Sequence, residues 1–160
     1  MGYTHYWTFK RSKGTAAKFR KAVTEINTIL QALPEKTDTA GGGYSDEPLG
    51  IFGGNGLGKP EIKNNLICFN GDASKELDHE SFYIKRLDKD AWNFCKTARK
   101  PYDLLACCAL IALANAYNDA NIFKFSSDGN KEDWEPAIQL YTKTIGEINS
   151  PVVIDMLNNL

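Results

Sequence analysis

The stretch "PYDLLACCALIALANAY", residues 101–117, constrains the fold more than any other part of the chain. Read as a helix it is apolar nearly all round: between Leu104 and Ala116 only Asn115 is polar. Such a helix has no face left for water, so it must be buried centrally with other elements packed around it. Its small residues and short length speak against a membrane span. Pro101 suits the first helical position, where its missing N–H costs nothing.

The rest of the chain reads as what wraps this helix. "YTHYWTFK" alternates and is rich in β-formers. That predicts a strand with Tyr3, His5, Trp7 and Phe9 on one face and Thr4, Tyr6, Thr8 and Lys10 on the other. A helix from about Thr15 to Leu33 follows, with Phe19, Val23, Ile26, Leu30 and Leu33 at helical spacing and Pro34 to stop it. The polar, glycine-rich "TDTAGGGYSDEPLG" reads as a flexible connection. "GIFGGNGLGKPEIKNNLICFNG" predicts two short strands around a turn, with Asn55-Gly56 as the hairpin signal. "ESFYIKRL" predicts a further strand with Phe82 and Ile84 on one face. Asp88 suits the cap of a short helix carrying Trp92 to Thr97. "NIFKFSSDG" reads as a last strand and turn, "KEDWEPAIQLY" as an amphipathic helix and "SPVVIDMLNNL" as a capped helix. With no internal repeat and no dividing linker, the expectation is one α+β domain over residues 1–160. Its sheet is mixed and mainly antiparallel, with a buried central helix and further helices packed on the sheet.

Charge narrows the function classes. A formal net charge of −1 argues against a general binder of nucleic acid or anionic membranes, both of which need a basic surface. Any anion must therefore be recognised locally. "MGYTHYW" carries no charged-then-apolar leader, so the chain reads as cytoplasmic. Cys68, Cys95, Cys107 and Cys108 form no C-x-x-C pair and, with His5 and His79, match no zinc spacing. They are expected to be reduced packing residues, and neither a cofactor nor a metal is expected. Homo-oligomerisation is left open.

The sharpest candidate for a binding site is "FCKTARKPYD", residues 94–103. On a helix reaching Arg99, the cations Lys96, Arg99 and Lys100 would stand at i, i+3 and i+4 on one face. Like charges so placed cost a helix roughly 0.2–0.5 kcal/mol per pair, which a bound phosphate or carboxylate would offset. The next helix start favours an anion as well, and Arg supplies a planar fork for two phosphate oxygens. Against this, Asp103 is placed to cap that helix or to pair with Arg99. His5 between Tyr3 and Trp7 suits contact with a base, ribose or phosphate, or else a core strand with one hydrogen-bonded histidine. "GGNGLGKPE" lacks both the P-loop ending and the strand-to-helix setting of a dinucleotide fingerprint. It reads as a turn in which Asn55 and bare backbone N–H groups face a ligand, if any does. Asp128, Glu132 and Asp133 lack the alternation of a calcium loop and are explained by turn and cap roles.

Taken together, "MGYTHYW", "GNGLGKPE", "ICFNG", "ESFYI", "FCKTARKPYD" and "SSDGNKEDW" resemble a widespread family of small uncharacterised proteins of phages, bacteria and fungi. The resemblance covers most of the chain and carries no reaction with it. It implies that His5, Tyr6, Trp7, Asn55, Glu61, Lys96, Arg99, Lys100, Tyr102, Asp103 and Asp128 occur together, and so converge on one pocket.

The expected function is binding of a phosphorylated or nucleotide-like small molecule, in the manner of a phage counter-defence protein that sequesters an immune signalling nucleotide. Lys96, Arg99 and Lys100 would hold phosphate, Trp7 and Tyr102 would stack on or wall the base, and His5, Asn55, Asp103 and Asp128 would supply polar contacts. Two alternatives stand beside it. One is a phosphodiesterase or phosphotransferase with His5 as general acid/base, assisted by Glu80 or Asp128. The other is an interaction module that docks an acidic partner.

Overall fold

A computed structural model describes residues 2–37 and 46–160. In chain order its elements are β1 (Thr4–Phe9), α1 (Ala16–Ala32), β2 (Glu61–Lys63), β3 (Leu66–Phe69), β4 (Phe82–Lys85), β5 (Ala91–Lys96), α2 (Asp103–Tyr117), β6 (Phe123–Ser127), α3 (Lys131–Thr144) and α4 (Pro151–Asn158). The fold is α+β, with two three-stranded antiparallel sheets around one core. No helix among the described residues is long and apolar enough to cross a membrane.

The apolar helix is where its composition puts it. Every residue of α2 from Leu105 to Ala114 is buried, and α1, α3 and α4 all pack against it. Its alanines and cysteines let those neighbours approach closely. α1 is capped by Thr15, whose hydroxyl accepts from the Lys18 N–H, and it stops short of Pro34. Its buried stripe is Phe19, Ala22, Val23, Ile26 and Ile29, with Leu30 and Leu33 at the margin. Asn130 and Asp133 form a reciprocal capping box on α3, and Ser150 caps α4. All four cysteines are free thiols.

One sheet has the order β5-β1-β6 and the other β2-β3-β4. They meet through aromatic side chains: Trp7 of β1 packs on Phe82 of β4, which stacks on Phe69 of β3. Arg11 ties the same seam with its guanidinium, donating to the Lys85 and Lys89 carbonyls.

Two local expectations are corrected. Residues 91–96 form strand β5 and not a helix, paired in register with β1 so that His5 faces Cys95 and Trp7 faces Asn93. Trp92 and Phe94 favour a strand, and the open edge of β1 offers that strand a full set of backbone partners. Asp88, the expected helix cap, accepts from the adjacent Lys89 N–H instead, and Asp90 accepts from Ser12. The hairpin joining β2 to β3 turns at Asn64-Asn65, between the paired Lys63 and Leu66. Asn55-Gly56 sits upstream, in a loop closed on itself by Gly56 N–H to Gly53 O and Gly53 N–H to Leu57 O. Residues 38–45 of the glycine-rich connection lie outside the described residues, whereas its ends are tied by Thr37 N–H to Glu47 O and Asp46 N–H to Thr37 O.

Candidate functional site

The site grows out of the alternation of β1. Tyr3, His5, Trp7 and Phe9 all point inward and are buried. Three of them join the aromatic core or its edge, while His5 is a polar ring in the same row and must find partners there. Its Nδ1 lies 2.8 Å from Ser127 Oγ, directly opposite on β6, and its Nε2 lies 2.6 Å from Asp103 Oδ1 at the start of α2. Tyr3 and Trp134 meet the imidazole edge-on from either side. The ring is therefore held on every side, with none of its surface exposed.

Asp103 does not cap its own helix. One carboxylate oxygen takes the His5 contact and the Thr97 hydroxyl at 2.5 Å, and the other receives the Cys107 thiol at 3.6 Å. Burial works to raise its pKa, yet the nearby His5 charge and the donors from His5, Thr97 and Cys107 outweigh it and hold the carboxyl below its ordinary value. Burial, aided by Asp103, pushes the Cys107 thiol well up, so it is no thiolate nucleophile as it stands. The Cys107 sulfur is also 3.5 Å from His5 Nε2.

Asp103 and Cys107 form the floor of a cleft of about 180 Å³ between the 99–104 junction and α3, with Tyr3, Arg99, Lys100, Glu132 and Asp133 around it. Arg99 is laid across the Tyr3 ring, its guanidinium carbon 4.0 Å from the ring centre, and donates to Asp133 Oδ1 at 2.7 Å. The other oxygen of Asp133 accepts from the Asn130 N–H, so one carboxylate both caps α3 and positions Arg99. Ala98 and Arg99 have φ of 53° and 60°, two consecutive left-handed residues without glycine. Each such residue costs of order 1 kcal/mol, and strain of this kind concentrates where a side chain must be delivered to a particular place. Gly129 is required on the other side: a Cβ there would stand 2.3 Å from the Tyr3 hydroxyl.

The expected site residues divide. His5, Arg99, Lys100 and Asp103 are brought together here. Lys96, Arg99 and Lys100 do not share a helix face. Lys96 ends β5, its backbone N–H on Glu80, while the Lys100 ammonium donates to the Glu76 carbonyl. Trp7 and Tyr102 do not line this cleft; both are core residues, and the Tyr102 hydroxyl donates to the Glu80 carbonyl. Asn55 turns back on its own loop, accepting from the Leu57 N–H. Asp128 is spent on the Thr4 N–H and the Tyr6 hydroxyl. Neither Glu80 nor Asp128 is the acidic partner of His5, which is Asp103.

Sequence reasoning missed Tyr3, Thr97, Cys107, Ser127 and Asp133 as members of the site. Alternation put Tyr3 and His5 on one face, and Asp133 was visible as a cap; nothing local marks the other three. The chain matches no protein-family model, no curated protein and no solved structure.

Proposed function

We propose that the cleft binds a small phosphorylated molecule, with Arg99 and Lys100 on the phosphate and the acidic groups on neighbouring hydroxyl or amino donors. The observation that carries this reading is the Arg99 guanidinium, set over Tyr3 by a strained backbone at the mouth of a cleft that also holds Lys100. A planar guanidinium recognises phosphate through two parallel hydrogen bonds. The cleft is not a bare anion trap, because Asp103, Glu132 and Asp133 line it too. A ligand carrying phosphate next to ribose-like hydroxyls satisfies both sets of charges, which favours a nucleotide-like molecule over inorganic anions. At about 180 Å³ the cleft is smaller than the roughly 300–1,000 Å³ typical of sites that enclose a drug-sized ligand. It therefore takes the phosphate and sugar and leaves a base outside.

Capture is favoured over turnover. Both ring nitrogens of His5 are engaged and the ring is buried, so no general acid or base is presented to the ligand from that side. Holding a nucleotide intact is what sequestration of a signal requires.

The test is calorimetric titration of wild type, Arg99→Ala and Arg99→Lys with AMP, ribose 5-phosphate and adenosine, followed by denaturation and mass analysis of the ligand. Wild type is expected to bind the two phosphates and not adenosine, and to return them unaltered. Arg99→Ala should lose roughly 1.5–3 kcal/mol of affinity, and Arg99→Lys should recover only part of it. Equal affinity in wild type and Arg99→Ala would remove the reading, and altered product would convert the binder into an enzyme.

A further inference from the structure

The geometry points to a zinc site at the floor of the cleft, formed by His5 Nε2, Asp103 Oδ2 and Cys107 Sγ. One donor atom from each of these residues lies within 4.8 Å of the other two. The sulfur is 3.5 Å from His5 Nε2 and 3.6 Å from Asp103 Oδ2. Ligand atoms around a tetrahedral zinc stand about 3.2–3.7 Å apart, given bonds of about 2.0–2.3 Å. Two of the three edges of a ligand triangle are therefore already at length. The third runs from His5 Nε2 to Asp103 Oδ2; Nε2 is held 2.6 Å from the other oxygen, Oδ1, in a hydrogen bond that the cation replaces by drawing Nε2 and Oδ2 to itself.

The surroundings are those a metal site needs. Ser127 Oγ lies 2.8 Å from His5 Nδ1 and also accepts from the Gly129 N–H. With its proton on Nδ1 and donated to Ser127, the imidazole presents a bare Nε2 to the metal. The Thr97 hydroxyl occupies Asp103 Oδ1, which leaves Oδ2 to coordinate. A thiolate, an imidazole and a carboxylate form a donor set that suits zinc above magnesium or calcium. Thiolate and carboxylate together cancel its charge in this buried place, and the thiol proton leaves to solvent as the Zn–S bond forms. Asp103 and Cys107 line the cleft while His5 backs them from β1, so the fourth coordination position faces the cleft. Residues 5, 103 and 107 match no zinc-binding spacing because β1 and α2 converge only in the fold. The site stands on these three donors whatever organic ligand the cleft takes.

Cobalt(II) alone, added to the chelator-treated full chain, is the probe, with zinc(II) alone as competitor. Wild type is expected to take up one equivalent of cobalt, with the intense visible bands of a four-coordinate ion and a near-ultraviolet thiolate charge-transfer band. Zinc should displace both signals. Cys107→Ser preserves the shape of the side chain; it should lose the charge-transfer band and bind zinc about tenfold more weakly or worse. Ser127→Ala should weaken zinc by about 10–100-fold with the band retained. Cys68→Ser, at the most exposed thiol, should change nothing. Circular dichroism of each variant separates a lost site from a lost fold, and a variant that unfolds is replaced by Cys107→Ala. Absence of stoichiometric uptake, a charge-transfer band that survives in a folded Cys107 variant, or one that vanishes in Cys68→Ser would each overturn the site.

Discussion

The junction from Lys96 to Asp103 and the glycine loop from Gly53 to Gly58 both turn the chain, yet they spend their side chains in opposite ways. The glycine loop has one polar side chain, Asn55, which accepts locally from the Leu57 N–H; remote groups reach the loop at its backbone, Ala73 N–H at Gly56 O and the Asn70 and Ser81 side chains at Gly54 O. In the junction the charged side chains themselves reach remote partners. Asp103 reaches His5, Arg99 reaches Asp133, Lys100 reaches the Glu76 carbonyl and the Ala98 N–H reaches Tyr3 O. A loop without a charged side chain shapes the chain. A junction whose charged side chains reach into other elements gathers those elements. That difference separates a structural turn from a candidate site.

Four substitutions test this contrast. The largest loss is expected from Asp103→Ala, which leaves His5 buried opposite an apolar side chain. Breaking one side of a buried pair costs about 3 kcal/mol, or a fall in Tm of roughly 9 °C for a domain of this size. Thermal unfolding followed by circular dichroism measures it; a fall under 3 °C would mean the pair contributes little. Gly56→Ala comes next. Its φ of 78° and a Cβ only 2.6 Å from that of Ala73 predict a cost of about 2 kcal/mol, with phosphate-ligand affinity unchanged. Lost affinity in a folded Gly56→Ala would erase the distinction between the two regions.

Arg99→Ala should reverse that profile, weakening ligand binding by roughly 1.5–3 kcal/mol while costing the free protein about 0.5 kcal/mol, since its partner Asp133 is partly exposed. The pH dependence has a definite sign. The hydrogen bond from Arg99, ahead of the other contributions, lowers the Asp133 pKa in the folded protein. The pair's stabilisation is thus fully present above the unfolded value near 4 and is lost as pH falls through the lower folded value. Denaturant melts at pH 7 and pH 3 should show wild type and Arg99→Ala converging in acid; a constant difference would assign the effect to packing on Tyr3. The smallest change is expected from Ala98→Gly. Relief of the left-handed φ of 53° slightly exceeds the entropy glycine adds to the unfolded chain, so stability should rise by a few tenths of a kcal/mol. A loss above 1 kcal/mol would mean that the backbone there is not strained.

How far the sequence could be read follows the same division. β1, α1, α2, β6, α3 and α4 were legible because their signals are local: alternation, helical spacing, the stop at Pro34 and the cap that opens "SPVVIDMLNNL". Residues 91–96 were not, because Trp92 and Phe94 face outward on β5 and the reason for a strand is the backbone of β1, more than eighty residues earlier. The cations of "FCKTARKPYD" drew attention to the cleft through a helix face that does not exist, since Lys96 ends a strand and Arg99 is held by Asp133 from α3. The partners of His5 lie 98 and 122 residues away, where no spacing rule reaches. Trp7 and Tyr102 looked like ligand walls because an aromatic ring reads alike in a core and in a cleft.

The place of β1 in the middle of its sheet also sets an order in time. The strand leaves the ribosome before both of its neighbours, β5 and β6, which pair with it from as far on as Ser127. At about 5–20 residues per second, roughly ten seconds pass between making the strand and making its second partner. Until β5 is made, Trp7 and Phe9 belong to a strand with two open edges, and until β6 is made to one with a single open edge, an arrangement prone to pairing with the wrong chain. His5 meets Ser127 only when that last edge closes, so the newborn chain cannot complete this cluster until β6 has been made.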